Sequence, residues 1–266
     1  MGVLNVTPDS FSDGGRLFSA QRPDLGAIEE LARGMLDDGA VILDVGGEST
    51  RPGAEPVSAD EECERVMPVI ERLLGLDTIL CVDTRKSEVA IAAIAMGCHM
   101  INDVTGLRGE GMLSAVADGG TAVCIMHMLG EPRSMQRDPH YVDVVGEVRD
   151  FLAERVNACA EAGIDSTRLL IDPGIGFGKT LDHNLALLRN LTELKLVGPA
   201  LLVGVSRKSM LGTITGRSVR DRVVGSAVAA ALAVQHGANI VRVHDVAATA
   251  DALAMVQAWT APENEL

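Results

Sequence analysis

Polar residues able to bind or transform a small molecule recur in this chain, each directly after a short apolar run. Asn5, Asp44, Asp83, the pair Asn102 and Asp103, the triplet Met126-His127-Met128, Asp172, Ser206-Arg207-Lys208, and Arg242 with His244 close eight such runs. Any one of them alone reads equally well as a structural cap, but eight of eight mark a binding site. Asp83, Asn102 and Asp172 supply two carboxylates and an amide, with no Cys/His cluster at metal-ligand spacing. Such groups suit a flat heterocycle with several N–H donors and an acceptor edge, because carboxylates accept and Asn does both. A buried carboxylate matched to ring donors also rejects rings that lack them. Asp172 precedes Pro173-Gly174, so a helix cap is the competing reading there. Arg242 and His244 stand two apart and point the same way from a strand. With Lys208 they make a cationic cluster for an anionic substrate, against a neutral core histidine as the other reading of His244.

Two loops are rich in Gly, Ser and Thr. Residues 7–15 read Thr-Pro-Asp-Ser-Phe-Ser-Asp-Gly-Gly and residues 47–54 read Gly-Glu-Ser-Thr-Arg-Pro-Gly-Ala. Their composition predicts mobile lids rather than packing elements. Each carries one apolar group to cover a ligand, Phe11 and Pro52. The segment Gly174-Ile175-Gly176-Phe177-Gly178-Lys179 has neither Walker nor Rossmann spacing. It reads as a tight loop that brings backbone close to a ligand, with Phe177 as an apolar wall. The long loop 128–141, with two prolines and His140, acquires no role from its sequence.

The elements that must position these groups follow from periodicity. Strands are predicted at 2–6, 41–46, 78–83, 100–104, 122–127, 169–172, 200–205 and 240–244. Helices are predicted near 24–38, 58–74, 86–96, 111–118, 142–162, 181–195, 222–236 and 247–259. Ser58 with Glu61 predicts a capping box. Val145, Val148, Leu152, Val156 and Cys159 make one buried helical stripe, and Gly39, Gly97, Gly163 and Gly237 stand where helices should stop. Alternating β and α elements imply a parallel sheet. Eight repeats without a long linker favour a closed (β/α)8 TIM barrel over an open sheet. The expected organisation is one α/β domain over residues 1–260 and a tail over 261–266. In that fold the chemistry sits at the C-terminal strand ends, and the loops after strands 7 and 8 often hold phosphate.

Composition agrees. Apolar residues are 47% of the 266 and aromatics 2%, so the core must be aliphatic, as buried parallel strands require. A net charge of −14 argues against binding nucleic acid or an anionic membrane over a broad surface. Five scattered cysteines without CxxC spacing suggest reduced core thiols in a cytoplasmic protein. The opening residues lack a signal-peptide pattern, and no apolar run approaches the ~20 residues of a membrane span.

Taken together, these segments resemble the dihydropteroate synthase family, from Met1 to about Trp259. The opening Gly2-Val3-Leu4-Asn5-Val6-Thr7-Pro8-Asp9-Ser10-Phe11-Ser12-Asp13-Gly14-Gly15 resembles its first signature. Ile42-Leu43-Asp44-Val45-Gly46-Gly47-Glu48-Ser49-Thr50-Arg51-Pro52-Gly53 resembles its second. Val82-Asp83-Thr84, Ile101-Asn102-Asp103-Val104, Met126-His127-Met128, Asp172-Pro173-Gly174, Ser206-Arg207-Lys208-Ser209 and Arg242-Val243-His244-Asp245 match further motifs in barrel order. The resemblance implies condensation of a dihydropterin pyrophosphate with p-aminobenzoate, Mg²⁺ as cofactor, sensitivity to sulfonamides and a homodimer. It also implies that Asp83, Asn102, Asp172 and Lys208 grip the pterin, with Met126 against its face. Asn5, Arg242 and His244 would handle the pyrophosphate, Asn5 being similar to the family's Mg²⁺ ligand. Asp83, Asp172, Lys208, Arg242 and His244 would carry catalysis, and Phe11, Thr50, Arg51, Pro52, Phe177 and Ser209 would close over p-aminobenzoate. Family members carry a short segment before the first strand that caps the barrel bottom. This sequence opens on that strand, which bears on the natural start and leaves the active site untouched. Two other readings are a methyltetrahydrofolate:corrinoid methyltransferase-type barrel and a non-catalytic pterin-binding paralogue. The first gives no reason for the Phe11 and Pro52 loops or the Arg242/His244 pair; the second should have lost the phosphate cluster or the lids.

Overall fold

In the computed structural model, residues 1–7, 18–19, 22–50 and 53–261 are described. Eight parallel strands lie side by side in chain order: β1 Gly2–Asn5, β2 Ile42–Gly46, β3 Ile79–Asp83, β4 Met100–Asp103, β5 Ala122–Met126, β6 Leu169–Asp172, β7 Ala200–Val203 and β8 Ile240–Val241. Just beyond β8, Val243 bridges back to Gly2 in parallel. Val3 N donates to Val243 O at 3.0 Å and Val243 N to Met1 O at 2.9 Å. The first strand therefore meets the last, and the predicted (β/α)8 barrel is formed. A two-stranded antiparallel ladder, Phe18–Ser19 with Arg22–Pro23, follows β1.

Around the barrel run α1 Leu25–Asp37, α2 Ala59–Leu73, α3 Ser87–Met96, α4 Met112–Gly119, α5 Val144–Glu161, α6 Leu181–Arg189, α7 Leu191–Leu194, α8 Ser209–Thr215, α9 Val223–Gln235 and α10 Val246–Thr260. The predicted stripe on α5 holds: Val148, Leu152 and Cys159 are buried, with Val145 and Val156 half-buried beside them. Gly97 ends α3 at φ +97°, a conformation that suits glycine.

Three details differ from the sequence reading. Ser58 caps α2 by accepting from Glu61 N at 3.1 Å, but the Glu61 carboxylate pairs with Arg65 rather than completing a box. The full capping box belongs to α6, where Thr180 and His183 exchange bonds. The predicted helix 181–195 breaks at Asn190, whose side-chain amide donates to Ala186 O at 2.8 Å and competes with the backbone ladder. The short helix α8, directly after Lys208, has no side-chain cap and was not expected.

Alternate strand residues point into the barrel. A buried interior cluster of Met1, Ile42, Cys81, Met100, Cys124, Leu170 and Leu202, with Ile240 packed on it, fills the lower part. Two positions further along their strands stand Asp44, Asp83, Asn102, Met126, Asp172, Gly204 and Arg242. The polar site is thus the next inward layer above an apolar plug, set by the strand period.

Candidate active site

A cavity of about 520 Å³ opens at the C-terminal ends of the strands. Of the residues singled out from sequence, it is lined by Asn5, Thr50, Asp83, Asn102, Met126, Asp172, Phe177, Lys208, Ser209, Arg242 and His244. Phe11, Arg51 and Pro52 lie outside the described residues. Every other residue that the family resemblance assigned to a substrate reaches one space, although their positions span the whole chain, while the strand-end residues Asp44, Asp103, His127 and Met128 do not line it.

Strand register sets the floor. Asp83 pairs with Asn102 across β3 and β4, and Met126 with Asp172 across β5 and β6. Gly46 stands between Asn5 and Asp83 in the register of the first three strands. Asp44, which sequence marked only as a strand end, lies fully buried beneath the floor. Its Oδ2 accepts from Arg242 Nε at 2.5 Å, while Arg242 Nη2 donates to Asp83 Oδ2 at 2.8 Å. Asn102 Nδ2 also faces Asp44 Oδ2, at 3.5 Å. The arginine expected to meet an anionic substrate is therefore already engaged by two carboxylates of the chain itself. Two of its five N–H donors serve these bonds.

Asn102 Oδ1 and Asp44 Oδ1 are buried without a hydrogen-bond partner. A buried acceptor left unmade costs about 1–3 kcal/mol, so the one of these two that lines the cavity, Asn102 Oδ1, points to a ligand that brings a donor. Burial raises Asp83 to about 7, with Arg242 opposing and Asp44 adding to the rise. Burial also raises Asp172, against the pull of Lys208 and of the bond from Gly174 N. Asp172 Oδ1 accepts that bond at 2.7 Å, so the residue both lines the cavity and turns the chain. Gly174 there has φ +66°, and a Cβ would fall 1.9 Å from His127 O, so the close approach demands glycine.

Lys208 projects between Asp172 and Phe177. Its Nζ sits 4.8 Å from the Phe177 ring centroid and bonds Ile175 O, and burial brings it down to about 8. Around it the backbone is anchored. Arg207, at φ +57°, ion-pairs with Asp245; its N donates to Ser226 Oγ at 2.9 Å, and its O accepts from Arg222. His244 is half-buried in the cavity wall, its Nδ1 3.1 Å from Ser206 Oγ, so it is not a core histidine.

Sequence gave no sign of the charge network under the 47–54 loop. Lys86 ion-pairs with Glu48 and the fully buried Glu62, Arg85 reaches Glu48 at 2.9 Å, and Arg65 donates to Gly47 O at 2.8 Å. These bonds fix the near end of the loop that carries Thr50. Among the described residues no group of three or more His, Cys, Asp or Glu could hold a metal ion.

A family model described as pterin binding enzyme matches residues 1–244. Dihydropteroate synthase of Haemophilus influenzae is 46% identical over 265 residues, covering 99% of this chain and 94% of that one. The dihydropteroate synthase of Yersinia pestis, solved in complex with a sulfonamide drug, superposes with a TM-score of 0.92 at 46% identity, over 97% of this chain and 92% of that one. The Xanthomonas albilineans enzyme, solved with 4-aminobenzoic acid, does so with a TM-score of 0.90 at 50% identity, over 98% and 93%. Barrel, cavity and likeness agree, and the chain belongs to the pterin-binding enzyme family, among the dihydropteroate synthases.

Proposed function

We propose that this chain joins 6-hydroxymethyl-7,8-dihydropterin pyrophosphate to p-aminobenzoate, releasing pyrophosphate and 7,8-dihydropteroate. The observation that carries the reading is the cavity's polarity. The unmet acceptor of Asn102 and the carboxylates of Asp83 and Asp172 share the cavity with the cationic Arg242 and Lys208 and with His244, and Thr50, Phe177 and Ser209 also line it. In this assignment Asp83, Asn102, Asp172 and Lys208 hold the pterin edge, with Met126 against its face. Asn5, Arg242 and His244 receive the pyrophosphate. Thr50, Phe177 and Ser209, with Phe11, Arg51 and Pro52, enclose p-aminobenzoate.

The reaction replaces the C–O bond at the pterin's exocyclic CH2 with a C–N bond. The aniline nitrogen is unprotonated at neutral pH, so no strong base is needed, and no paired nucleophile and base stands among the assigned residues. Asp83 and Asp172 lie where positive charge on the ring would develop, while Arg242 and His244 offset negative charge on the leaving group. That division of charge favours a dissociative route. Asn5 offers one amide oxygen in the cavity that Arg242 and His244 also line. This fits Mg²⁺, which keeps several waters and takes one or two protein oxygens plus substrate phosphates. When bound there, the ion would offset leaving-group charge.

One assay tests the reading: pyrophosphate release from the pterin pyrophosphate, with and without p-aminobenzoate and Mg²⁺. Sustained turnover should require both, while a dissociative route allows Mg²⁺-dependent release before p-aminobenzoate is added. A sulfonamide should compete with p-aminobenzoate only once the pterin site is filled, because Gly/Ser-rich lids need a filled site to offset their ordering entropy. Equal binding of the drug to the empty enzyme would sink the ordered closure, and pterin-replete enzyme that ignores it would sink the pocket assignment.

The partner we propose is a second copy. Val224, Val228 and Leu232 recur every four residues on α9 and are at least half exposed, and Met255 and Trp259 are exposed on the adjoining α10. Contiguous apolar surface of this kind marks an interaction face. Light scattering should show a dimer at micromolar concentration and a monomer for Val228→Asp; a dimer in both moves the interface elsewhere. All five cysteines are unpaired, in keeping with a cytoplasmic location, and among the described residues no helix is long and apolar enough to cross a membrane.

A further inference from the structure

Four consecutive carbonyls in the loop after β6 are each taken by a different side chain. Lys208 Nζ donates to Ile175 O, Gln136 Nε2 to Gly176 O, Lys179 Nζ to Phe177 O at 2.9 Å, and Tyr141 Oη to Gly178 O at 2.9 Å. Gly176 N in turn donates to Asn184 Oδ1 at 2.7 Å. Surface loops ordinarily leave such groups to water and move. Here the backbone on both sides of Phe177 is tied down.

Two of the four donors come from loop 128–141, whose sequence suggested no role. Two more residues of that loop, Met128 and Met135, join Val104 and Met126 in the cluster against which Phe177 packs, and Met135 lines the cavity. Tyr141 is buried, and its ring packs edge-on against His183 at 4.9 Å between centroids, so its hydroxyl is delivered by a fixed ring.

Lys179 is the costly member. It is 3% exposed, and burying an ammonium is unfavourable unless its bonds are made. Its Nζ bonds both Phe177 O and His127 Nδ1, the latter at 2.9 Å, so it links the end of β5 to the Phe177 backbone. His127 can accept because burial, aided by Lys179 and Arg108, holds it neutral, down to about 3. Burial lowers Lys179 itself to about 7, with Asp172 opposing. Packing does not require an amine at this place; two acceptors do.

We propose that Lys179, together with Tyr141 and Gln136 of loop 128–141, is a positioning group that sets the Phe177 ring as the wall of the p-aminobenzoate pocket. This rests on the reading above that Phe177 faces p-aminobenzoate. Lys179 and Tyr141 act through the backbone that carries the ring, so their removal should weaken one substrate and not the other.

The test uses the full-length enzyme and steady-state kinetics. Lys179→Met keeps the aliphatic stem and removes the donor; Tyr141→Phe removes only a hydroxyl. A misplaced wall of an ångström or less should raise the KM for p-aminobenzoate about tenfold in Lys179→Met and about threefold in Tyr141→Phe. The KM for the pterin pyrophosphate should stay within about twofold in Tyr141→Phe, the uncharged change being the cleaner comparison. In a Phe177→Ala background, where no ring is left to position, either substitution should add less than about twofold. Additive effects in the double variants, or equal rises for both substrates in Tyr141→Phe, would overturn the proposal. Should Lys179→Met not fold, Tyr141→Phe and Gln136→Ala must show the same coupling to Phe177 for the proposal to stand. Failure of the synthase reading looks different: wild-type enzyme would release no pyrophosphate on addition of p-aminobenzoate.

Discussion

Asp172→Asn is expected to abolish turnover while leaving the barrel folded. The amide keeps an oxygen that can accept from Gly174 N, as Asp172 Oδ1 does at 2.7 Å, so the turn after β6 survives. The carboxylate's other duties do not. An amide nitrogen presents a donor where a pterin N–H also donates, an opposition worth about 2–4 kcal/mol. The substitution also removes the negative charge that favours the ammonium forms of two buried lysines. Asp172 is the influence raising both Lys208 and Lys179 against burial, which already brings them to about 8 and about 7. Without it both fall further, so the pterin meets less positive charge on Lys208 as well as one acceptor fewer. Calorimetry with the pterin alcohol, on protein whose circular dichroism matches wild type, is the measurement. Near-normal affinity in the folded variant would remove Asp172 from the pterin site.

How much of this was legible follows from where each interaction reaches. The eight strands were readable because each is a short aliphatic run ending in a polar group. The strand period then carries Asp83, Asn102, Met126, Asp172 and Arg242 into one layer above Cys81, Met100, Cys124, Leu170 and Ile240. What was not readable is pairing across the barrel. Asp44 and Arg242 are 198 residues apart, and no local pattern ties the first strand's neighbour to the last strand. Glu62 sits among other acidic residues in the first turn of α2 and looks solvated, yet it is fully buried against Lys86. Loop 128–141 is opaque because it contributes separate side chains, Met128, Met135, Gln136 and Tyr141, that mean nothing until the Phe177 loop lies beside them. Helix α8 lacked a cap to announce it. The Ser58 box was misread for a related reason: Glu61 had a better partner in Arg65, one turn further along the same helix.

Arg242→Ala should damage stability and substrate selectivity together, because the guanidinium holds a structural and a binding position at once. Its bonds to Asp44 and Asp83 make it the cation between two buried carboxylates. Burial disfavours its charge, but Asp44 and Asp83 together outweigh that and hold it firmly protonated. Truncation leaves two buried carboxylates without their counter-ion, so Asp83 takes up a proton while Asp44 stands uncompensated, and breaking such a buried pair costs about 3–5 kcal/mol. For a domain of this size that is a fall in melting temperature of about 10 °C. Asp83, already raised to about 7 by burial, would rise further without the arginine, so even the bare pterin alcohol should bind more weakly. The pyrophosphate-bearing substrate should lose a further 1.5–3 kcal/mol or so, the usual worth of a charged partner to phosphate. Equal losses for alcohol and pyrophosphate would place Arg242 outside the anion site. The structural half has its own check, since an amide at Asp44 removes the buried charge that the arginine no longer offsets. In an Arg242→Ala background, Asp44→Asn should recover stability; in the wild-type background the same change should lower it. A thermal melt that shows Asp44→Asn destabilising in both backgrounds would mean that Asp44 acts through Asn102 or the backbone rather than as the arginine's counter-ion.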